Sequence, residues 1–517
     1  MTQQVSDIFR KSLISTDEFT ITYELVPGRG SGGKRLEKIL QLAEDARSDG
    51  RIKAFSITDN PGGHPALSPV SLGLDIQAMG ISPLLHFSLK DKNRNMAESQ
   101  LFECHRHQLL NLLVLGGDFP RYGFQGQAMP VFDLDSTQLL SLIEKLRYNF
   151  TVKKGAPGQA MDLPRMDFFA GCVVSPFKIL ESEQVWQYAK LLTKIQCGAQ
   201  FVISQLGYDI KKYRELIIFL REQRINIPVM ANIFVPSLSV ARIMNQGKVP
   251  GVIFPDQLLQ KMETEARSGD KGEEARLQRG AALITALRDM GYAGIHLGGN
   301  NLDFESISYL LDTAEKMCGK ESLEQIHFPE PETWYLSEAA GRSEKKRSMP
   351  ILYTVNHFIH TQVFHPHGSL FKLARKISTG SLNNKYLNRI YTFIEHLCKK
   401  ILFHCRMCGD CTLAASSYLC PQSGCPKKMV NGPCGGSNKG YCEVYPGERR
   451  CFWVRSYHRG PEPDSRNISN MDPIPPKDWS LDRTSSWLNY FSGKDHCKLP
   501  PAETSDSAEN SNNDSIS

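Results

Sequence analysis

The segment FTITYELVPGRGSGGKRLEKILQLAEDARSDGRIKAFSITD, residues 19–59, contains the unit from which the fold follows. Both of its ends are short apolar runs of strand length, rich in β-branched and aromatic residues. Between them, residues 35–50 repeat leucine, isoleucine and alanine at helical spacing. The segment therefore predicts a strand, a helix and a second strand, which is the repeating unit of α/β folds.

The same alternation continues as far as residue 299. Six further strand-like runs follow: PLLHFSL, NLLVLGG, FFAGCVV, QFVISQ, PVMANI and AGIHLGG. Eight strands alternating with helices over about 300 residues predict a (β/α)₈ TIM barrel. A doubly wound open sheet is the structural alternative, because it too uses a glycine-rich turn after its first strand. We interpret the glycine-rich GRGSGGK, residues 28–34, as a barrel loop rather than a phosphate cradle.

Composition and charge exclude several classes of protein. The 517 residues carry a net charge of +6 without a long single-sign run, so we expect no nucleic-acid partner. No stretch approaches the roughly 18 consecutive apolar residues of a membrane span, and the polar first residues lack a secretory leader. We expect a cytoplasmic protein with no membrane partner, and a homo-oligomer stays open.

Composition changes along the chain predict the domain bounds. The barrel is expected over 1–325, followed by a linker at 326–349 that is first proline-rich and then charged. A small cysteine-rich domain that binds a metal or cluster is expected over 350–498. Residues 499–517 are low in hydrophobicity and predict a disordered tail.

Polar residues stand where several predicted strands end, and this is where barrels carry their active sites. Taken singly, each is more simply explained as a solvated carboxylate or a packed polar side chain. Together on one face of a barrel they predict a site. These residues are Glu24, Thr58, His86, Asp118 and Gln205.

The same segments resemble methylenetetrahydrofolate reductases. Order and spacing agree over roughly 300 residues, so the resemblance does not depend on one short motif. It extends to a lysine before Gly-Ala and to a strand that ends in glutamine. The matching segments are YELVPGRG (23–30), FSITDNPGG (55–63), LLHFSLKDKNRN (84–95), NLLVLGGDFPRYG (111–123) and KIQCGAQFVISQLGYD (194–209).

The resemblance implies an enzyme of one-carbon metabolism and methionine synthesis. Such a reductase binds FAD and reduces 5,10-methylenetetrahydrofolate to 5-methyltetrahydrofolate by hydride transfer from the reduced flavin. Glu24 would be the general acid, a role that suits a carboxyl group whose pKa partial burial raises. Asp118 would be catalytic and contact both flavin and folate, and Gln205 would bind folate.

The resemblance also implies the residues that contact the cofactor. FAD would lie against Thr58, His86, Gly117 and Asp118, with Lys194 neutralising its phosphates. Gly116 stands where some family members have arginine, and Phe234 is the candidate for the aromatic residue that some members place over the flavin. The electron donor is NAD(P)H or a ferredoxin-like protein. The alternative is a non-catalytic or flavin-free module that serves a folate- or corrinoid-linked methyl transfer.

Cysteines predict a second chemistry in the C-terminal part. Eight of the fourteen fall within 47 residues, and in a reducing compartment such crowding indicates metal or cluster binding rather than disulfides. C-x₂-C-x₂-C followed by Cys-Pro favours [4Fe–4S] clusters, with zinc as the alternative. Eight ligands would suit two four-cysteine sites. The eight are Cys405, Cys408, Cys411, Cys420, Cys425, Cys434, Cys442 and Cys451.

This region resembles the C-terminal domain or partner subunit of some bacterial methylenetetrahydrofolate reductases. HCRMCGDC and NGPCGG carry the resemblance, together with the later SSWLNYF. In some bacteria that partner is a separate subunit bearing a cluster or zinc, and here it would be fused to the barrel. A cluster would deliver single electrons to the flavin, whereas zinc would be structural.

Overall fold

The fold is described from a computed structural model. The structure describes residues 2–148, 150–153, 160–299, 302–317, 325–339, 350–382, 384–461 and 468–499. The predicted tail beyond residue 499 and the charged part of the predicted linker, 340–349, lie outside these residues.

Eight parallel strands close into a barrel, which confirms the predicted TIM barrel and excludes the open sheet. Each barrel strand pairs with its neighbour in the chain, and the last pairs with the first, so that Tyr23 lies opposite both Phe55 and Leu297. The other four strands form two small hairpins outside the barrel. The strands are β1 (Thr20–Leu25), β2 (Ile52–Ile57), β3 (Ser82–Ser88), β4 (Asn111–Leu115), β5 (Tyr122–Gly123), β6 (Gly126–Gln127), β7 (Phe150–Lys153), β8 (Ala160–Leu163), β9 (Phe169–Val174), β10 (Phe201–Ser204), β11 (Val229–Phe234) and β12 (Gly294–Gly298).

Helices surround the barrel and bury their apolar faces against its outer surface. Several begin at a side-chain cap, as where Asp135 and Gln138 form a capping box. These caps satisfy backbone N–H groups that a helix start leaves without partners. The helices are α1 (Thr2–Ile14), α2 (Lys34–Asp49), α3 (Pro69–Ala78), α4 (Arg94–Arg106), α5 (Ser136–Leu146), α6 (Glu181–Gln196), α7 (Ile210–Glu222), α8 (Leu238–Asn245), α9 (Asp256–Glu265), α10 (Glu273–Met290) and α11 (Phe304–Lys316).

Helix α1 fills the amino-terminal end of the barrel. Phe9 and Leu13 pack into the barrel interior, and the Phe9 ring meets those of Phe169 and Phe201 edge-on, with centroids 5.8 and 5.5 Å away. The Asn111 side-chain amide fixes α1 in this position by donating a hydrogen bond to the Ser6 carbonyl oxygen. The first residues therefore have a packing role, and the carboxyl ends of the strands are left to form a site.

The closed barrel decides how two loop segments are interpreted. Gly28, Gly30 and Gly33 have the G-x-G-x-x-G spacing, yet they precede α2 of a closed barrel, so that spacing is no evidence here for a dinucleotide fold. The segment VIFP, residues 252–255, is apolar enough for a strand, but it forms none between β11 and β12. Its Val252 and Phe254 instead pack in an apolar cluster with α8 and α9, where helical packing buries them.

The chain divides into two compact units, and their bounds differ from the predicted domains. Met1–Arg347 and Asn431–Pro473 form the first, here called the barrel unit, and Ser348–Val430 with Ile474–Ser517 form the second, here called the cysteine unit. Residues 431–473, expected in the cysteine-rich domain, therefore belong with the barrel.

Two buried lysines of the barrel unit explain that difference. Lys178 Nζ donates to the Gly435 carbonyl at 2.6 Å, and Lys190 Nζ donates to the Gly432 carbonyl at 3.1 Å. A buried ammonium needs hydrogen-bond acceptors. The glycine-rich loop at 431–436 supplies them to the two lysines and therefore packs as part of the barrel unit. Trp453 adds an edge-on contact to Trp186 of α6, with ring centroids 5.1 Å apart.

The remaining helices follow in chain order. Three of them, within residues 351–403, directly precede the cysteine cluster. Across the part of the chain that the structure describes, no helix combines the length and apolarity needed to cross a bilayer. The helices are α12 (Leu336–Ala339), α13 (Ile351–Val363), α14 (Phe371–Leu382), α15 (Lys385–Phe403), α16 (Pro421–Gly424), α17 (Phe452–Arg459) and α18 (Ser486–Phe491).

Candidate active site

Glu24 lies near the carboxyl end of β1 and faces a histidine of the neighbouring strand. Its Oε2 is 3.7 Å from Nε2 of His296 on β12. The other ring nitrogen of His296, Nδ1, lies 2.9 Å from the Thr22 hydroxyl oxygen. Thr22 and His296 are register partners in the sheet, so the pairing of β1 with β12 aligns all three side chains.

A second histidine stands across the barrel from His296. His86 on β3 is buried, and its Nε2 lies 2.7 Å from the Ser56 hydroxyl of β2. The two imidazole rings are 6.3 Å apart between centroids. Burial lowers the pKa of His86 to about 4 against the opposing charge of Glu24, so this imidazole is neutral at physiological pH.

The ionisation of Glu24 differs from the sequence expectation. Burial raises the pKa of this carboxyl, but the close approach and charge of His296, with a smaller contribution from the charge of His86, outweigh that effect. The net pKa is lower than that of an ordinary glutamate, whereas partial burial alone would have raised it. The free chain therefore holds Glu24 as a carboxylate at neutral pH.

An aromatic ring stands beside this carboxylate. Phe234 ends β11, and a Cβ added to Gly298 would lie 3.1 Å from its ring and 3.8 Å from Glu24 Oε1. The absence of a side chain at Gly298 leaves Phe234 and Glu24 flanking the same gap. Phe234 therefore lies beside Glu24, and its role as the aromatic residue over the flavin stays a prediction.

The loops after β2, β3 and β4 are joined by polar contacts. Asp118 Oδ2 accepts a hydrogen bond from the Gly62 backbone N–H at 2.9 Å. Asp59 accepts from the Ser88 N–H at 3.0 Å and pairs with the Lys92 ammonium. The bond from Gly62 holds the half-buried Asp118 where β4 ends, and the Asp59 contacts join the two loops beside it.

The glycine before Asp118 has a conformation that other residues rarely adopt. Gly117 has φ +84°, and a Cβ there would lie 2.1 Å from the Ser88 hydroxyl. Gly116 has nothing within 4 Å of its own Cβ position. The buried Ser88 hydroxyl has no hydrogen-bond partner in the described structure. Two glycines without side chains, open space beside Gly116 and the unsatisfied Ser88 hydroxyl therefore lie together here.

Of the other three predicted residues, Thr58 and Gln205 follow the carboxyl ends of their strands, whereas Lys194 lies in the last turn of α6. Thr58 directly follows β2 and donates through its hydroxyl to the Leu25 carbonyl at 3.3 Å. Gln205 directly follows β10, and its Oε1 accepts from the Leu206 N–H at 3.0 Å, leaving the amide NH₂ for a ligand. Lys194 of α6 is buried and donates to the Val173 carbonyl at 2.7 Å. Burial lowers the pKa of Lys194 to about 8, so its charge is only partly retained at mildly alkaline pH.

The carboxylate and the two imidazoles also form a set of metal-ligand type. One donor atom each from Glu24, His86 and His296 lies within 4.8 Å of the others. Two histidines and a carboxylate can bind a divalent cation such as zinc. The hydroxyls of Thr22 and Ser56 orient the two rings, so the geometry serves proton exchange as well as cation binding.

The cysteine unit contains a cavity lined by four of the eight candidate ligands. Its wall also includes Lys399 and Glu395, and the Lys399 ammonium donates to Glu395 at 2.8 Å and to Ser486 at 2.6 Å. Burial raises the pKa of the Cys408 thiol to about 12, so a bound cation is what would favour its thiolate. The four are Cys405, Cys408, Cys411 and Cys420.

The other four candidate ligands are distributed between the two units. Cys425 belongs to the cysteine unit, whereas Cys434, Cys442 and Cys451 belong to the barrel unit. The Cys434 thiol lies 3.4 Å from a Glu443 carboxylate oxygen. A second four-cysteine site stays a prediction.

Sequence reasoning missed His296, Thr22 and Ser56. Each lies on a barrel strand, in a run that was recognised only for its apolar residues. The available signal was the alternation of TITYEL and GIHLG, in which Thr22 with Glu24, and His296, fall on inward-facing positions.

A closed (β/α)₈ barrel with ionisable side chains at the carboxyl ends of its strands defines the class of barrel enzymes. Sequence comparison gives the family within that class. The family described as methylenetetrahydrofolate reductase matches residues 9–311, and its C-terminal domain, described as methylene-tetrahydrofolate reductase C terminal, matches residues 385–480. The chain belongs to the methylenetetrahydrofolate reductase family, as its sequence indicated.

Individual relatives are distant. "Methylenetetrahydrofolate reductase 1" of Schizosaccharomyces pombe is 23% identical over 273 residues, which are 52% of this chain and 41% of that protein. The chain thus matches less than half the length of this relative. A Clostridium thermocellum protein solved with two copies of 5-methyl-5,6,7,8-tetrahydrofolic acid is 12% identical, with a TM-score of 0.41 over 59% of this chain and 97% of its own. Tryptophan synthase from M. tuberculosis gives 11% identity and a TM-score of 0.32 over 61% and 96%.

Proposed function

We propose that this protein is an FAD-dependent reductase that converts 5,10-methylenetetrahydrofolate to 5-methyltetrahydrofolate. The observation that carries the proposal is Glu24, an ionisable carboxyl group at the carboxyl end of a family-matched barrel, paired with His296. The product would feed methionine synthesis or another one-carbon pathway in the cytoplasm.

Glu24 would act as the general acid on the folate. The reaction requires a proton on a nitrogen of the five-membered ring so that the ring opens to an electrophilic iminium. Since His296 holds Glu24 as a carboxylate in the free chain, the bound folate must exclude water and raise the pKa of Glu24 before it can donate. His296, with its Nε2 directed at the carboxylate, is the group through which that proton would be exchanged.

The stretch from Ser88 to Asp118 fits a flavin. Gly117 brings bare backbone to the rim, Gly116 leaves open space, and Ser88 offers an unsatisfied hydroxyl. Thr58 and the neutral His86 would contact FAD from the adjacent strands, and Lys194 would face its phosphates. Bound FAD, once an electron donor has reduced it, would supply the hydride that turns the methylene group into methyl.

Asp118 and Gln205 would orient the folate. The Asp118 carboxylate is fixed through one oxygen by Gly62, which leaves the other to accept from the amino edge of a pterin. Gln205 offers its amide NH₂ to the same ligand. Since both groups are anchored before a ligand arrives, little conformational entropy is lost on binding.

The four-cysteine cavity would bind a [4Fe–4S] cluster rather than zinc. Structural zinc usually takes C-x₂-C pairs that are separated by a longer gap. Cys405, Cys408 and Cys411 instead form a C-x₂-C-x₂-C run followed by Cys420-Pro421, which is the ligand pattern of ferredoxin-type clusters. Such a cluster would accept single electrons from a ferredoxin-like donor, with NAD(P)H as the alternative donor to the flavin.

The variant Glu24→Gln tests the function of the barrel. We expect it to retain FAD and to lose folate reduction by about 10²–10⁴-fold, the usual contribution of a general acid. Flavin absorbance and 5-methyltetrahydrofolate formation are measured on the same anaerobic preparation. Glu18→Gln, at an exposed carboxylate just before β1, is the matched control and should behave as wild type.

Two results would overturn the proposal. Retained folate reduction in Glu24→Gln would remove Glu24 from the acid role. Wild-type protein that takes up no flavin on reconstitution would exclude the reductase and favour the flavin-free module. Iron, sulfide and zinc counted in the same sample decide the metal, since zinc without iron would make the cysteine site structural.

A further inference from the structure

A second cluster of donor atoms lies in the cysteine unit, outside the eight candidate cluster ligands. Asp495, His496 and Cys497 each direct one donor atom to within 4.8 Å of the other two. The Asp495 carboxyl is buried, whereas Cys497 is exposed. The group is therefore half-enclosed, with a side through which a metal ion can enter.

Asp410 holds the histidine of this cluster in one orientation. Its Oδ1 is hydrogen-bonded to the ring Nδ1 of His496 and also accepts the His496 backbone N–H at 3.4 Å. A metal-binding histidine typically donates its second ring N–H to a carboxylate, which fixes the tautomer and the ring. With Nδ1 held in this way, Nε2 is the nitrogen that faces the cluster.

The spacing of the two softer donors matches a metal. Cys497 Sγ and His496 Nε2 are 3.5 Å apart. Tetrahedral zinc, with Zn–S of about 2.3 Å and Zn–N of about 2.05 Å, requires roughly 3.5–3.6 Å between these atoms. The pair is thus already at ligand spacing. A thiolate, an imidazole and a carboxylate together favour zinc over harder cations.

We propose that Asp495, His496 and Cys497 bind one Zn²⁺, with Asp410 orienting His496. Three protein ligands leave the fourth tetrahedral position to water or to a group from a partner. The site does not depend on the reductase function. The rival explanation is an exposed thiol activated by its histidine neighbour, since Asp, His and Cys in this order also form a nucleophile triad.

Site-resolved alkylation separates the two explanations. The full-length protein is treated with iodoacetamide with and without zinc chloride, and modification of each cysteine is followed by mass spectrometry. We expect zinc to slow alkylation of Cys497 at least tenfold and to leave the exposed Cys398 on α15 unaffected. His496→Gln should abolish that protection. Equal alkylation of Cys497 with and without zinc would overturn the site and identify a reactive thiol only.

Metal content supplies the second measurement. Cys497→Ser should contain about one zinc fewer per chain than Cys398→Ser, a matched substitution at another exposed cysteine. Because both side chains are exposed, neither variant removes a packed core group. Equal zinc in the two variants would contradict the proposal, whatever metal occupies the four-cysteine cavity.

Discussion

The carboxylate of Glu24 lies 3.7 Å from Nε2 of His296, although the two residues are separated by most of the barrel's sequence. Closure of the barrel brings β1 beside β12 and makes this contact. It lowers the pKa of the carboxyl that is proposed to donate a proton. The pair therefore controls the pH range over which the acid is available.

Replacing His296 should change that range. Contact with His296 lowers the pKa of Glu24 in the folded chain, so His296→Asn should raise that pKa. If protonated Glu24 is the active form, kcat/KM falls as pH rises through this pKa. In the variant, the alkaline side of the pH profile should therefore move to higher pH. The measurement is the pH profile of kcat/KM, with His64→Asn, at an exposed histidine, as control. An unchanged profile would separate His296 from the ionisation of Glu24.

A methyl group at Gly117 should destabilise the barrel rim. The positive φ and the 2.1 Å approach to Ser88 Oγ together predict that Gly117→Ala lowers the free energy of unfolding by about 2–4 kcal/mol. Gly116→Ala, with open space at its Cβ position, should change it by less than about 1 kcal/mol. Urea denaturation of the two variants gives the comparison, and equal stabilities would mean that the rim rearranges.

Loss of the Lys178 ammonium should loosen residues 431–473. In Lys178→Met, the Gly435 and Ser437 carbonyls lose a charged donor, which should cost about 1–3 kcal/mol. Limited proteolysis should then cleave this segment faster than in wild type. Lys248→Met, at an exposed lysine, serves as control. If proteolysis is unchanged, packing of α17 alone is enough to hold the segment.

The charge of Lys399 should tune the proposed cluster. A buried ammonium on the wall of the four-cysteine cavity favours added negative charge. Lys399→Gln should therefore lower the midpoint potential of the cluster measured by redox titration with EPR. Lys400→Gln alters the exposed neighbour and should leave the potential unchanged. Equal potentials in both variants would show that the Lys399 charge is neutralised by Glu395.

Local sequence patterns were enough to predict the barrel and many of the polar residues at the carboxyl ends of its strands. The strand and helix periods predict the eight units, and the polar residues after apolar runs identify Glu24, Asp118 and Gln205 as candidates. Those signals are local because strand alternation and helical spacing act over a few residues. The resemblance in five segments identified the family on the same local basis, and the family match confirms it.

Contacts between distant segments required the tertiary structure. His296 joins Glu24 only because the barrel closes, and its effect reverses the direction of the expected pKa change. The glycine-rich loop at 431–436 belongs to the barrel because it supplies carbonyls to Lys178 and Lys190, which no local pattern reveals. Likewise, cysteine spacing predicted metal binding, but only the fold selected four of the eight for one cavity. The sequence alone determined which elements form and which chemical groups are present. Tertiary structure decided which groups meet, because side-chain ionisation and ligand sets depend on distances between segments that are far apart in the chain.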